Sequence, residues 1–203
     1  MNIVFDLDGT LCRVNTYKHF VIIFFIFLVV TFQFSKIYKL ITILIRRIQK
    51  KENRWSMKCK VGLLYYDLRC VGIIDKLLLF WFKKFIRKSL LAQYVNKSIN
   101  TVALATAAFS FYANPLGESL GLIPIFATEK GDLANDVECL SEVKASRVRN
   151  YFRDEVDLFF TDHYDDLPTI RIAKKTVLVN PSSLSKDRIL ASLEEERIEF
   201  YNY

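Results

Sequence analysis

The second half of the chain alternates short apolar runs with longer mixed segments, and this alternation restricts the fold more than any other feature of the sequence. Four apolar runs, rich in β-branched and aromatic residues, cover residues 101–106, 123–128, 156–162 and 176–180. Such runs predict strands, and a further strand is predicted at residues 2–5. Strands that alternate with helices form a parallel sheet with right-handed crossovers.

Helices are predicted in the gaps between these strands. They cover residues 109–120, 144–153, 166–174 and 184–196. The sequence therefore predicts an α/β fold with a Rossmann-like parallel sheet. Ligands of such sheets bind beyond the carboxyl ends of the strands, so the residues directly after each apolar run are candidate site residues.

Acidic and polar side chains follow several of these runs. They are Asp6 and Asp8 after the first strand, Thr106 at the end of the second run, and Asp162 and Asp166 after "LFFT". Carboxylates gathered at one sheet edge repel one another in a low-dielectric cleft, so they require a cation. Oxygen ligands in a small pocket favour Mg²⁺. The alternative for Asp6 and Asp8 is a strand that ends in an ordinary Asp-Gly turn.

The segment between the first and second strands differs in composition from the rest of the chain. Residues 16–99 contain 17 Lys and Arg but three Asp and Glu, a net charge of +14. The remainder contains 12 basic and 19 acidic residues, a net charge of −7. The segment has no proline and is predicted to be a helical insertion within a core formed by residues 1–15 and 100–203. Opposite charges on two parts of one chain indicate different partners.

The insertion is also apolar. Residues 20–35 carry no charge, and as a helix they would span about 24 Å, less than the ~30 Å of a hydrocarbon core. Residues 36–51 and 71–88 are amphipathic, with basic residues opposite aliphatic and aromatic ones, which is typical of interfacial helices. A helical bundle that buries its own apolar faces has the same period. For residues 20–35, a buried core helix is the alternative.

Both ends of the insertion join the same sheet, which excludes a single membrane crossing. We expect a re-entrant or two-pass hairpin of residues 20–34 with 37–45, or helices that lie in the interface. The basic cluster of Arg46, Arg47, Lys50 and Lys51 favours the cytoplasmic face of a membrane with an anionic surface. No nucleic-acid reading element is recognisable, so nucleic acid is not an expected partner.

The four cysteines are Cys12, Cys59, Cys70 and Cys139. They form no CxxC pair and have no histidine at metal-ligand spacing, which indicates reduced thiols in a cytoplasmic setting and no zinc site.

Four motifs together resemble those of the haloacid dehalogenase (HAD) superfamily of phosphatases. "FDLDGTL" resembles the first motif, DxDGT, and Thr106 in "LATAA" resembles the second. Lys144 in "SEVKASRV" matches the third-motif lysine, and "TDHYDDLP" resembles the fourth motif, GDSxxD. "VLVNPSSLS" is similar to the VNPD stretch of the phosphoserine-phosphatase-like branch. Thr161 and His163 depart from the family's glycine and serine.

The resemblance implies a role for each matched residue. Asp6 would be the nucleophile that forms an aspartyl-phosphate, and Asp8 would act first as acid and then as base. Mg²⁺ would be held by Asp6, the Asp8 main-chain carbonyl and Asp162, with Asp166 supporting its waters. Lys144 and Thr106 would contact the phosphoryl oxygens. Taken singly, Thr106 also fits a strand-end hydroxyl that bonds backbone, and Lys144 a solvated helix residue.

In this branch the insertion forms a helical cap over the site, and an apolar stretch after DxDGTL is similar to membrane-associated phosphatidylglycerophosphate phosphatases. The resemblance implies a Mg²⁺-dependent phosphatase of a membrane-resident lipid phosphate at the cytoplasmic face of a membrane. One alternative is a soluble cytoplasmic phosphatase of a small sugar or amino-acid phosphate. Another is a catalytically silent membrane-binding protein. The sequence does not indicate an oligomeric state.

Overall fold

A parallel six-stranded sheet forms the centre of the molecule. The structure is a computed structural model that describes residues 1–68, 71–95, 99–193 and 197–201. Its strands are β1 (Asn2–Phe5), β2 (Thr101–Phe109), β3 (Ile125–Thr128), β4 (Val156–Thr161), β5 (Ala173–Val179) and β6 (Ile198–Tyr201). They lie in the order β3-β2-β1-β4-β5-β6, and every neighbouring pair is parallel. The predicted α/β fold with a Rossmann-like sheet is therefore confirmed.

Helices connect these strands. They are α1 (Thr16–Val30), α2 (Phe34–Ile48), α3 (Arg54–Tyr66), α4 (Val71–Lys83), α5 (Lys88–Val95), α6 (Ser110–Ser119), α7 (Lys130–Ala134), α8 (Ser141–Phe152), α9 (Leu167–Ile172) and α10 (Ser183–Leu190). A 3₁₀ turn over Tyr164–Asp166 precedes α9. We refer to α1–α5, which lie between β1 and β2, as the helical insertion.

β1 is buried on both of its faces, which explains its uninterrupted apolar sequence. Ile3, Val4 and Phe5 are fully buried. Phe5 pairs with Leu104 of β2 and with Phe160 of β4. Because the three strands are parallel and in this register, the residues that follow β1 and β4 meet at one edge of the sheet.

Apolar side chains pack on both sides of the sheet. Side chains of successive strand residues point to opposite faces, so Val4 belongs to one cluster and Phe5 to the other. The cluster that contains Phe5 continues into the helical insertion, where it includes Phe20 and Tyr65. The insertion therefore shares a continuous apolar core with the sheet.

The predicted helix over residues 71–88 is wrong at its carboxyl end. α4 ends at Lys83, and residues 85–87 run beside the loop after β1 before α5 begins. The backbone N–H of Arg87 donates to the Leu11 carbonyl over 2.9 Å, and the N–H of Arg13 donates to the Phe85 carbonyl over 3.0 Å. These bonds occupy backbone groups that a continuous helix would use internally, so the helix is interrupted.

The prediction that β2 stops at Thr106 is also wrong, because the strand continues to Phe109. Its pairing with β3 shifts register between Ala105 and Phe109, and the Ala108 N–H donates to Thr106 Oγ1 over 3.1 Å. The irregularity lets the chain remain extended beyond Thr106.

Several other boundaries differ from the prediction. β3 begins at Ile125 rather than residue 123, and β5 begins at Ala173 rather than residue 176. α9 and α10 are shorter than predicted, although residues 194–196 lie outside the described ranges. β6 and α7 have no counterpart in the prediction, because their sequences are too short to show a clear alternation or helical period. α3 and α5 are predicted only as part of a mainly helical insertion, without bounds of their own.

The uncharged stretch at residues 20–35 is divided between two helices. α1 ends at Val30, Phe32 adopts φ = 54°, and α2 begins at Phe34. One face of α1 is buried and consists of Phe20, Phe24 and Leu28. The buried-helix alternative therefore describes this face, whereas Val30, Phe32 and Phe34 are exposed. Within the described ranges, no helix combines the length and the apolar character needed to cross a membrane.

The cysteines in the described ranges are free thiols. Cys12 and Cys139 are buried and Cys59 is half-buried. Burial raises the pKa of each of these thiols to about 11, so they are protonated at neutral pH. The prediction for Cys70 falls outside the described residues.

Candidate active site

The turn after β1 brings the first predicted aspartates to the sheet edge. The Asp6 N–H donates to the Phe160 carbonyl of β4 over 2.9 Å, which extends the strand pairing by one residue. Gly9 then adopts φ = 79°, and a Cβ at this position would lie 2.1 Å from Asp162 Oδ2. Glycine is therefore required in this turn, both for its backbone conformation and for the close approach of Asp162.

Lys144 joins two of the predicted carboxylates. It projects from α8 and is 2% exposed, and its Nζ lies 2.8 Å from Asp6 Oδ1 and 2.6 Å from Asp166 Oδ1. Burial by itself lowers the pKa of Lys144, but the charges of Asp166 and Asp6 outweigh it and hold the pKa above its ordinary value. The alternative of a solvated helix lysine is therefore wrong, and the buried side chain is a cation.

Asp6 is surrounded by charges of both signs. Burial raises the pKa of Asp6 well above its ordinary value; the charge of Lys144 lowers it, whereas Asp166 and Asp162 raise it. One lysine does not fully balance this group of carboxylates. An additional cation beside Asp6 and Asp162 would relieve the remaining repulsion.

Asp162 lies directly after β4 and is bonded to the turn after β1. Thr10 Oγ1 donates to Asp162 Oδ1 over 3.2 Å. Burial, together with the charge of Asp166, raises the pKa of Asp162 to about 6. Asp6 and Asp162, which are 156 positions apart in the sequence, are thus brought to one edge by neighbouring strands.

The two residues that depart from the HAD fourth motif make local hydrogen bonds. Thr161 Oγ1 donates to Asp166 Oδ2 over 2.7 Å and accepts a bond from the His163 N–H over 3.2 Å. His163 Nδ1 accepts a bond from the Asp165 N–H over 3.1 Å. Thr161 therefore orients Asp166 toward Lys144, and His163 stabilises the loop.

Asp8 is held by the start of α1. The Thr16 backbone N–H donates to Asp8 Oδ1 over 2.8 Å. Burial raises the pKa of Asp8, although the hydrogen bonds from Thr16 lower it in part. A raised pKa suits a carboxyl group that must carry a proton before it donates one. The sequence does not reveal the contact with Thr16, because neither residue type nor spacing predicts it.

Thr106 is buried where β2 becomes irregular. Its Oγ1 accepts the bond from the Ala108 N–H, as the alternative of a backbone-bonded hydroxyl predicts. Acceptance of this bond leaves the hydroxyl proton available to another acceptor. Both interpretations of Thr106 are therefore compatible.

All six predicted site residues line one pocket, which has a volume of about 320 Å³. Asp6, Asp8, Thr106, Lys144, Asp162 and Asp166 all line it. Arg13, Asn15 and Arg54 line the same pocket and were not predicted. Arg54 belongs to α3, and its Nη2 lies 2.8 Å from Glu138 Oε2. Its basic charge alone does not distinguish it from the many other Lys and Arg of the insertion.

Some of the carboxylates at this sheet edge are suited to bind a hard cation. Among the described residues, no three His, Cys, Asp or Glu side chains are grouped as a metal site. Asp166 is poorly suited as a direct side-chain ligand, because both of its carboxylate oxygens accept hydrogen bonds, from Lys144 and Thr161. Asp8 Oδ1 is held by the Thr16 N–H, whereas Asp6 and Asp162 each have Oδ1 engaged, by Lys144 and Thr10. Asp6 and Asp162 remain, with raised pKa values that a cation would lower. This is compatible with a ligand set of two carboxylates completed by the Asp8 carbonyl and water.

No protein-family model matches the sequence, and no curated protein matches it. Solved structures match its fold. A protein of unknown function from Bordetella pertussis Tohama I gives a TM-score of 0.73 at 16% identity, and the match covers 98% of this chain and 96% of that one.

Two further structures bear names that describe a function. A HAD family hydrolase from Salmonella enterica subsp. enterica serovar Typhi gives a TM-score of 0.58 at 12% identity, covering 100% of this chain and 67% of the other. A phospho-aspartyl intermediate analogue of phosphoserine phosphatase gives 0.55 at 18% identity, covering 92% and 90%. The chain therefore has the α/β, Rossmann-like fold of HAD hydrolases and phosphoserine phosphatases.

Proposed function

We propose that this chain is a Mg²⁺-dependent phosphomonoester hydrolase that works through an aspartyl-phosphate on Asp6. One observation carries the proposal: buried Lys144 bridges Asp6 and Asp166 at a sheet edge that also holds Asp162. Burial of a lysine with two carboxylates is costly for folding, whereas a site for a phosphoryl group requires fixed positive charge. The fold of the phosphoserine phosphatase intermediate analogue supports the same chemistry.

Asp6 is the nucleophile in this proposal. Its carboxylate oxygen forms a bond to phosphorus while the bond to the leaving oxygen breaks, and Asp8 donates a proton to that oxygen. Asp8 then takes a proton from a water molecule whose oxygen attacks phosphorus. The bond between Asp6 and phosphorus breaks, and inorganic phosphate leaves. The Thr16 N–H keeps Asp8 oriented, and burial favours the protonated form that the first step requires.

Two hydrogen-bond donors, one cationic and one neutral, contact the phosphoryl oxygens in this proposal. Lys144 Nζ and the Thr106 hydroxyl donate to them, which stabilises the charge of the transferring group. Asp6, Asp162 and the Asp8 carbonyl are the proposed Mg²⁺ ligands, with Asp166 supporting bound waters. Bound Mg²⁺ would neutralise negative charge at this position.

The pocket lining includes two arginines that would attract negative charge of a substrate beyond the phosphomonoester, and one of them, Arg54, is also paired with Glu138. Arg13 and Arg54 line it together with the proposed catalytic residues. We propose a membrane-resident lipid phosphate such as phosphatidylglycerophosphate, whose second phosphate group would lie near these arginines. The helical insertion acts as the cap of residues 16–99 over a core of residues 1–15 and 100–203.

The surface of the insertion supports a lipid substrate. α1 and α4 pack against each other, and each exposes large apolar side chains on its outer side. These residues, which we call the outer face, are Ile22, Phe25, Ile26 and Val29 of α1 and Ile73, Leu77, Phe80 and Trp81 of α4. Lys84 Nζ lies 4.4 Å from the centre of the Phe80 ring. Apolar and aromatic side chains bordered by lysine are typical of helices in the interface of an anionic membrane, here at its cytoplasmic face.

A second candidate is a soluble phosphatase of an amino-acid phosphate. The structural similarity to phosphoserine phosphatase favours it. In that case the outer face would contact protein rather than lipid.

A phosphate-release assay tests the chemistry and the substrate class together. The wild type and Asp6→Asn are compared on p-nitrophenyl phosphate, phosphatidylglycerophosphate in mixed micelles and phosphoserine, each with Mg²⁺ and with EDTA. We expect Mg²⁺-dependent release by the wild type, highest on the lipid, and at least a ~10³-fold loss in Asp6→Asn because an amide is not a nucleophile. Asp154→Asn, a surface carboxylate paired with Arg149, is the matched control.

The outcomes separate the parts of the proposal. Wild-type activity on no phosphomonoester would contradict the enzymatic function. Activity highest on phosphoserine would favour the second candidate and leave the chemistry intact. Sedimentation with vesicles that contain phosphatidylglycerol, but not with neutral phosphatidylcholine vesicles, is the result expected for a cap that binds an anionic membrane.

A further inference from the structure

Arg87 lies outside the predicted site, yet its side chain contacts the turn that carries the proposed catalytic aspartates. Arg87 is located between α4 and α5 and is 7% exposed. Its Nη1 donates to the carbonyl oxygens of Gly9 and Thr10, each over 2.6 Å. Its backbone N–H donates to the Leu11 carbonyl over 2.9 Å. One residue of the insertion therefore bonds three successive carbonyls of the turn.

The hydrogen bonds from the Arg87 side chain are stronger than those between neutral groups. A guanidinium that donates to buried carbonyls forms charge-assisted hydrogen bonds, and its planar group restricts the geometry more than a lysine would. Arg87 Nε, although buried, has no hydrogen-bond partner among the residues that the structure describes. The two side-chain bonds named above both come from Nη1 and both end on the turn.

The same turn after β1 also contacts Asp162. Thr10 Oγ1 donates to Asp162 Oδ1 over 3.2 Å, and the Gly9 backbone lies so close to Asp162 that no Cβ fits between them. Asp6 begins the same turn. A shift of the Gly9–Thr10 backbone would therefore change the separation and orientation of Asp6 and Asp162.

We propose that Arg87 is a positioning residue: its bonds to the Gly9 and Thr10 carbonyls set the relative position of Asp6 and Asp162, and thereby the affinity for the divalent cation. This inference rests on the proposed function, since it assigns the cation to these two carboxylates. It also gives the helical insertion a direct role at the site, separate from any contact with lipid or substrate.

The test compares Arg87→Gln and Arg87→Lys with the wild type and with Arg149→Gln. Arg149 is an exposed arginine of α8 that pairs with Asp154 at the surface. Mg²⁺ and Mn²⁺ binding is measured by calorimetric titration of the purified protein without substrate. Turnover of p-nitrophenyl phosphate is measured at saturating cation, and thermal unfolding is recorded for every variant.

We expect Arg87→Gln to weaken cation binding about 10-fold and to lower kcat about 10- to 100-fold with little change in KM, the range seen when an outer-shell group of a metal site is removed. Arg87→Lys retains the charge but not the planar guanidinium, so its values should lie between those of the wild type and Arg87→Gln. Arg149→Gln should bind the cation as the wild type does.

Two results would overturn the inference. One is a folded Arg87→Gln protein whose cation affinity and kcat both remain within about twofold of the wild type. The other is loss of folding in both Arg87 variants, which would make Arg87 a residue of general stability. A wild type that binds no cation and releases no phosphate would instead contradict the proposed function, so the two failures are distinguishable.

Discussion

The carboxyl edge of the sheet and the helical insertion distribute charge and apolar surface in opposite ways. At the sheet edge, Asp6, Lys144 and Asp166 are buried and paired. In the insertion, residues such as Phe32 and Phe80 are 74% and 63% exposed. Removing a charge from water and exposing apolar surface to water both cost free energy, so each indicates a function other than folding. The sheet edge is suited to a charged phosphoryl group, and the insertion to an apolar partner.

Two cations of the insertion are exceptions to this contrast. Lys58 and Arg87 are 4% and 7% exposed, and both donate to backbone carbonyls of the turn after β1 or of β2. Lys58 Nζ donates to the Ala107 carbonyl over 3.0 Å and pairs with Glu138. These contacts tie the insertion to the site on two sides, so the two regions are mechanically connected.

The largest effect on stability is expected from Lys144→Met. The variant leaves Asp6 and Asp166 buried without their shared cation, which should lower the free energy of unfolding by about 3–5 kcal/mol. Turnover should fall by at least ~10²-fold because a donor to the phosphoryl group is lost. Urea denaturation in EDTA measures the first effect and phosphate release the second. Lys174→Met, at an exposed ion pair with Asp157, is the control and should leave stability almost unchanged, because solvent screens the pair.

Lys58→Met tests whether a buried cation of the insertion contributes to stability and turnover as Lys144 does. It leaves Glu138 and the Ala107 carbonyl without this donor, so we expect a loss of about 2–4 kcal/mol in the free energy of unfolding. Turnover per folded molecule should change less than about 10-fold, because Lys58 does not touch the proposed phosphoryl position. Urea denaturation and kcat are measured on the same preparation. A loss of turnover equal to that of Lys144→Met would remove the distinction between the two regions.

Asp162→Asn is expected to stabilise the cation-free protein at neutral pH but not in acid. The folded-state pKa of about 6 lies above the ordinary value of 3.8, so the folded state favours the protonated form. The associated stability is present at low pH and is lost as the pH rises through about 6. This difference in pKa corresponds to at most about 3 kcal/mol, a penalty that the neutral amide avoids.

Urea denaturation in EDTA at about pH 5 and about pH 7.5 measures this dependence. The stability of Asp162→Asn relative to the wild type should increase between the two conditions, whereas that of Asp154→Asn should not. A difference between Asp162→Asn and the wild type that is the same at both pH values would contradict the assignment.

The smallest change in stability is expected on the outer face. Phe80→Ser should alter the free energy of unfolding by about 0.5 kcal/mol or less, because Phe80 is exposed. Binding to vesicles that contain phosphatidylglycerol should weaken roughly 10-fold, since a buried aromatic contributes about 1.5–3 kcal/mol. Vesicle sedimentation measures this, with turnover of p-nitrophenyl phosphate as the reference. Unchanged vesicle binding would separate the outer face from the membrane.

The sheet was largely predictable and the insertion was not, for a physical reason. β1 and β4 are buried on both faces, and their apolar runs end directly before the aspartates, so local sequence indicates both the strand and the site residue. In the insertion, the amphipathic period of residues 71–88 continues past Lys83, but the chain breaks where residues 85–87 bond the turn after β1. That break depends on a contact with residues more than 70 positions away, which a local period does not encode.

By itself, the sequence determined the alternation of five of the strands with helices along the chain and the set of carboxylates at the sheet edge, because both follow from short apolar runs and the residues that end them. The tertiary structure alone decided how those carboxylates are held: the bridge from Lys144, the Thr16 N–H on Asp8 and the Arg87 bonds to the turn. Each of these is a side-chain or backbone hydrogen bond between separate elements. Such bonds depend on how α8 and the insertion pack against the sheet, which no local pattern of residues specifies.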